Sequence, residues 1–232
     1  MPDHARTHEL LWGTPRAPRR GPRPSMTLDA IVETGIDIAD REGVAGVTMQ
    51  KVAAALGATK MAIYRYVPGR DELLAVMLDR AIGGAPDLST IGWRDGLADF
   101  ARKMYARSAA HPWIFDVANG VRVYGPNELS WLEAGLGTLA TTTLPGPARL
   151  DTIVLVTAHV RMLTAQHTQS QATETEIAAL MAKILTQQPD SFRHVASVFS
   201  DPDRAGRDNA FDFGLSRILD GVAVLVEQSH ES

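Results

Sequence analysis

From Ser25 to Gly83 the sequence repeats one pattern four times: apolar residues at helical spacing, then a glycine or proline that ends the run. Leu28, Ile31, Val32, Gly35, Ile36 and Ala39 recur three and four apart behind candidate caps at Ser25 or Thr27, and Gly43 stops them. Thr48 sits in N-cap position before Met49, Val52, Ala53 and Leu56, and Gly57 breaks that short run. A third helix is predicted from Thr59 to about Tyr66, because Pro68 biases Val67 away from helical dihedrals. A fourth starts near Asp71 and carries Leu73, Leu74, Met77, Leu78, Ala81 and Ile82 up to Gly83, Gly84 and Pro86. Beyond the break, Leu97, Phe100, Ala101, Met104 and Ser108 share one face until Pro112. Helical windows follow at 113–121, 128–139, 148–169, 174–185 and 209–227, punctuated by Pro126, Pro145, Pro147, Pro189 and Pro202. No strand signal and no fixed-period repeat interrupts this, so the expected fold class is all-α.

At 232 residues, 45% apolar and 22% charged, the chain can bury a core, and whole-chain disorder, collagen or coiled-coil rod is excluded. It has no cysteine, which removes disulfides, thiol nucleophiles and thiolate metal sites together. The longest strongly apolar stretch, 153–158, is far short of the roughly 18 residues a bilayer span needs. The N-terminus shows no apolar export segment, and a cytoplasmic location is expected. The net charge of −4 is unevenly spread. Residues 1–24 carry five Arg against Asp3 and Glu9, and residues 44–70 carry Lys51, Lys60, Arg65 and Arg70 with no acid. Local potential governs attraction to a polyanion over a Debye length of about 8 Å, so an acidic chain can still present a phosphate-binding face. The Pro- and Arg-rich residues 1–24 are expected to form a flexible arm.

Residues 48–66 have the form of a DNA-reading pair: a short helix, a tight turn at a glycine, and a second helix with one side left free. Ile63 and Tyr66 would face inward, while Thr59, Lys60, Met61 and Ala62 stand at the tip, flexible or short enough to approach base edges. The longer run resembles the TetR family of bacterial transcriptional regulators across residues 20–82. The resemblance is carried by Arg20-Gly21 and Pro24, Gly43, Val47-Thr48-Met49, Val52-Ala53, Leu56-Gly57, the run from Ala58 to Val67, and Arg70-Asp71-Glu72-Leu73-Leu74. Ala58 stands where a larger aliphatic is usual.

The resemblance implies an N-terminal three-helix helix-turn-helix DNA-binding domain at 25–70 and a C-terminal helical ligand-binding and dimerisation domain at 71–232, with helix 71–83 as connector. Thr48 would hold a phosphate oxygen at its helix N-terminus and Gln50 would reach a base edge. Lys60 suits guanine O6 or N7, and Met61 or Ala62 a thymine methyl. Thr59 belongs to the same tip, and Tyr64, Tyr66 and Arg70 match positions that grip the backbone. Arg19, Arg20 and Arg23 would lie along the minor groove, the alternative being a tail that adds only non-specific affinity.

For the C-terminal part, Phe211, Leu215, Ile218, Val222 and Leu225 form a seam suited to another helix, with Gly214 and Gly221 allowing close approach. The family's homodimers assign that seam to a second copy; the seam alone is equally compatible with internal core. Leu155, His159, Met162 and Gln166 mix apolar and hydrogen-bonding groups on one side of the 148–169 helix, and Tyr105, Trp113, Phe115, Asn119, Arg122 and Trp131 would stand opposite as the rest of a ligand pocket. Arg122 and His159 lean the effector toward a carbonyl or acid group.

The string Gly135, Gly137, Ala140 follows a helical window and no strand, so it is no dinucleotide loop. Asp201, Asp203, Gly206, Asn209 and Asp212 imitate a calcium loop without its bidentate glutamate. His159 and His167 lack a third zinc ligand, and no nucleophile elbow or P-loop occurs. The expectation is a regulator and not an enzyme, without cofactor or metal, acting as a repressor. As a homodimer it would bind a palindromic double-stranded operator and be released by a small-molecule effector. The alternatives are a DNA-binding regulator without such a ligand or under a protein partner's control, and an all-α module whose head has lost DNA function.

Overall fold

The computed structural model describes residues 4–13, 26–167, 171–188, 191–199 and 209–229, and these form helices and connecting turns without a strand among them. Helix α1 spans His4–Trp12, α2 Leu28–Glu42, α3 Met49–Ala55, α4 Lys60–Tyr64 and α5 Arg70–Ile82. The body follows as α6 (Trp93–Ala110), α7 (Ile114–Val117), α8 (Pro126–Thr138), α9 (Gly146–His167), α10 (Gln171–Gln187), α11 (Arg193–Phe199) and α12 (Ala210–Gln228).

Three threonines start the three helices of the head. The hydroxyl of Thr27 accepts from the N–H of Ala30, that of Thr48 from Lys51 and that of Thr59 from Ala62, at 3.1, 3.2 and 3.3 Å. Each satisfies one backbone donor that a helix start leaves open. Gly57, at φ 61°, makes the left-handed bend between α3 and α4 that an L side chain resists. Ile31, Val32 and Ala39 of α2, Val52 of α3, Ile63 of α4 and Leu73 and Met77 of α5 then close into one apolar cluster.

The body has its own cluster. Leu97, Phe100 and Met104 of α6 meet Val156 and Val160 of α9, and α12 adds Leu215, Leu219 and Val222. Phe100 and Trp131 pack edge to face with centroids 5.6 Å apart. Helices α10 and α11 pack on each other.

Polar bonds tie α2 and α5 to the elements that follow α6. Asp40 of α2 accepts from the indole N–H of Trp113 at 2.7 Å and pairs with His111 Nδ1 at 2.9 Å. On α5, buried Asp79 accepts from the backbone N–H groups of Asn127 and Glu128 and from Asn127 Nδ2, capping α8. Burial pushes the Asp79 carboxyl above the ordinary aspartate range, although the two backbone donors pull it down. Glu128 in turn holds Arg122 through two bonds of 2.7 and 2.5 Å and accepts from the N–H of Gly125.

The structure corrects four expectations here. The segment 1–24 is not a flexible arm throughout, because His4–Trp12 is helical and packs on α5. The window 113–121 shortens to the single turn α7, and α11 appears where no helix was expected. The last-helix seam is largely internal: Leu215 and Val222 are 2% and 4% exposed, covered by the body's own core, with Phe211 and Ile218 half-buried against it. Gly214 serves that internal packing too, since a Cβ there would lie 2.2 Å from Cε1 of His159. Leu225 alone of the five is exposed.

Candidate nucleic-acid interface

Helix α4 is anchored from below by Ile63, which is fully buried, and presents the rest of its short length to solvent. Thr59, Lys60, Met61 and Tyr64 are exposed, Met61 to 73%, and Ala62 is half-buried. The Lys60 ammonium stands 5.6 Å from the Tyr64 ring centroid, so these two side chains share one side of the helix. Thr48 and Gln50 are exposed at the start of α3. Because the hydroxyls of Thr48 and Thr59 act only as acceptors in their caps, each keeps its O–H to donate to a phosphate oxygen. These groups form a rigid tip, braced by caps and core, of the size a major groove admits.

Two residues assigned to backbone grip are otherwise engaged. The Tyr66 hydroxyl donates to the carbonyl of Met26 at 3.0 Å, tying the end of α4 to the start of α2. Arg70 turns its guanidinium inward: Nε donates to the carbonyl of Val47 and Nη2 to that of Val44, both at 2.8 Å. It braces the turn that launches α3, and it lines a cleft at the junction of head and body. The basic run is also weaker than the sequence count. Lys51 is paired with Glu42 of α2 at 2.5 Å. Among the described residues, Lys60 and Arg65 are the two cations of 44–70 with neither an ion pair nor a backbone brace. Arg19, Arg20 and Arg23 lie outside the described residues.

Of the ten residues expected to line a ligand pocket, the nine with described side chains do not converge on one cavity. Trp113 belongs to the head's cluster. Arg122 is paired with Glu128 through its two terminal nitrogens, its buried Nε having no hydrogen-bond partner among the described residues, and Asn119 is taken up by the carbonyls of Phe115 and Asp116 and by Arg161. Trp131 donates to the carbonyl of Gly83. Leu155 and Met162 point away from the body core, at 51% and 60% exposure. Phe115 packs against the body's cluster. Tyr105 and His159 do come together, around Phe211, with ring centroids 5.0 and 5.8 Å from it, and His159 Nε2 lies 2.9 Å from the Phe211 carbonyl. The side chain of Gln166 lies outside the described residues. A cleft of about 520 Å³ opens instead between the segment after α5, α6 and α8. Gly84, Pro86, Lys103, Ala106, Arg107 and Ala110 line it beside Trp131. The four α6 residues recur three and four apart on its polar side. In the sequence that spacing reads as a solvated face, which is why it was missed.

A three-helix head with a free second reading helix, carried on an all-helical body with its own core, is the architecture of a helix-turn-helix transcriptional regulator. The chain belongs to the TetR family. Residues 31–77 match the family model for bacterial regulatory proteins of the tetR family, and residues 85–226 match the tetracyclin repressor-like C-terminal domain. The HTH-type transcriptional repressor DrrR1 of Streptomyces coeruleorubidus is 38% identical over 97% of this chain and 88% of its own length. Two solved structures share the fold. ActR of Streptomyces coelicolor in complex with actinorhodin superposes with a TM-score of 0.72 at 23% identity, covering 87% of this chain and 98% of that one. A TetR variant from Acinetobacter baumannii in complex with minocycline gives 0.67 at 18%, covering 87% and 95%. No helix among the described residues is long and apolar enough to cross a membrane.

Proposed function

We propose that this chain is a transcriptional repressor, without catalytic activity of its own. It binds a near-palindromic operator as a homodimer and leaves it when a small molecule occupies the body. The observation that carries the DNA half of this reading is the α4 tip, where Lys60, Met61 and Tyr64 stand exposed on a helix whose other side is locked into the head's core. Lys60 and Met61 read base edges. Thr48, Thr59 and Tyr64 donate to phosphates, and Gln50 reaches from α3. Tyr66 and Arg70 act indirectly by holding α3 and α4 in place.

The pairing surface is the outer face of α9 and α12. Leu155 and Met162 on α9 and Phe213, Val224 and Leu225 on α12 are exposed apolar residues on adjacent helices. This is the kind of surface that self-association covers. The ligand half rests on the 520 Å³ cleft between the segment after α5, α6 and α8 and on the small molecules that ActR and the Acinetobacter protein hold. An effector there must bind the DNA-released arrangement better than the DNA-bound one, since equal affinity shifts nothing.

The test is a titration of the purified protein against the DNA flanking its own gene, followed by footprinting. A two-half-site footprint with affinity falling steeply with salt supports the reading. A monomer that binds no duplex, at any salt, refutes it. Compounds that both raise the melting temperature and release the footprint then identify the effector class.

A further inference from the structure

Helix α1 belongs to neither half of the family architecture, and it touches both. Leu10 and Leu11 pack against the apolar cluster that α2, α5 and α7 share, and Thr7 is buried. Next to them, at the same C-terminal end of α1, the indole N–H of Trp12 donates to the carbonyl of Tyr124 at 2.9 Å, in the loop between α7 and α8. That loop is itself fastened. Arg122 lies over the Tyr124 ring at 4.5 Å and is paired with Glu128, whose N–H reaches Asp79 on α5. Beneath α1 a cleft of about 310 Å³ remains at the joint, with His4 and Thr7 on one side and Arg70, Leu74, Asp116 and Arg122 on the other.

We propose that α1 is a strap across the head–body joint that restrains movement of α5 against α7 and the 118–125 loop. A hinge or shear between those elements has to pull Leu10 and Leu11 out of the shared cluster or break the Trp12–Tyr124 bond. The strap therefore adds its cost to the displaced arrangement and little to the one seen here, which biases a two-state joint toward the latter. Its regulatory meaning, a harder release from DNA, rests on the repressor reading above; the mechanical restraint does not.

The chain has no cysteine, so spin labels can be placed at Ala55→Cys in α3 and Glu133→Cys in α8, both exposed, without removing a native thiol. Labelled chain is diluted with unlabelled chain so that one label pair is read per assembly. A chain beginning at Met26, which keeps the carbonyl that Tyr66 uses, is compared with the full chain. The expected result is a head–body distance distribution about twofold broader in the shortened chain, with unchanged helical signal per residue from 26 onward. Leu11→Asp in the full chain reproduces most of that broadening, and Trp12→Phe, which keeps an aromatic ring but removes the N–H donor, reproduces part. Superimposable distributions in all of these overturn the proposal. Should the shortened chain fail to fold, the two point variants decide. If neither long nor short chain binds any duplex, the repressor reading fails while the distances still report on the strap.

Discussion

Replacing Arg70 with alanine separates two ways in which one arginine supports DNA binding. A phosphate contact contributes through counterion release, and its loss reduces the slope of log affinity against log salt by about 0.9. The structure assigns Arg70 a different task, two charge-assisted bonds to the carbonyls of Val44 and Val47 at the turn that launches α3. Such a bond contributes about 1.5–3 kcal/mol when well buried. Arg70 is half-buried, so about 1 kcal/mol apiece is the reasonable figure, and Arg70→Ala should lower the stability of the chain by about 2 kcal/mol. The loosened α3 start then weakens operator and random DNA together, with the salt slope unchanged. Urea melts at constant slope and an affinity series from low to high KCl measure both quantities. An unchanged urea midpoint accompanied by a slope shallower by about one contact would refute the bracing role and restore Arg70 to the phosphates.

Lys60→Ala should cost about 1–3 kcal/mol on the operator and relax preference at one base position, seen by competition among single-base operator variants. Asp79 is held protonated more readily when folded than when unfolded. Its contribution to stability is therefore full below its ordinary value of 3.8 and lost as pH rises through its raised native value. Asp79→Asn should flatten urea midpoint against pH between those two values, and an unaltered pH profile there would contradict the burial argument. A charge in the pairing face, Leu155→Glu or Phe213→Glu, is counted twice in a symmetric dimer. At about 2 kcal/mol per copy it should weaken self-association roughly 1000-fold in sedimentation equilibrium.

The head was largely legible because its signals are local. Thr27, Thr48 and Thr59 announce helix starts through their own hydroxyls, and Gly43, Gly57 and Gly83 end runs with positive φ. Chemistry that joins distant residues was not legible. Nothing within 44–70 shows that Glu42 takes up Lys51, or that the carbonyls of Val44 and Val47 claim Arg70. The stripe Phe211 to Leu225 marked α12 as packed on something, yet a periodic apolar face looks the same whether α9 of its own chain or a second copy covers it. Leu215 and Val222 turned out to meet the former. Helix α1 escaped notice because its sequence, HARTHELLW, is polar overall, and its apolar contact with the head's cluster comes from Leu10 and Leu11 at its very end.

Trp113 makes the seam between the two halves optically readable. Its indole is 2% exposed, packs in the head's cluster and is bonded to the Asp40 carboxylate of α2, so its emission responds to whether Asp40 is still in place. A displacement of α2 that admits water there would red-shift that emission. With Trp12, Trp93 and Trp131 replaced by phenylalanine, that emission would follow the seam in stopped-flow without any attached dye.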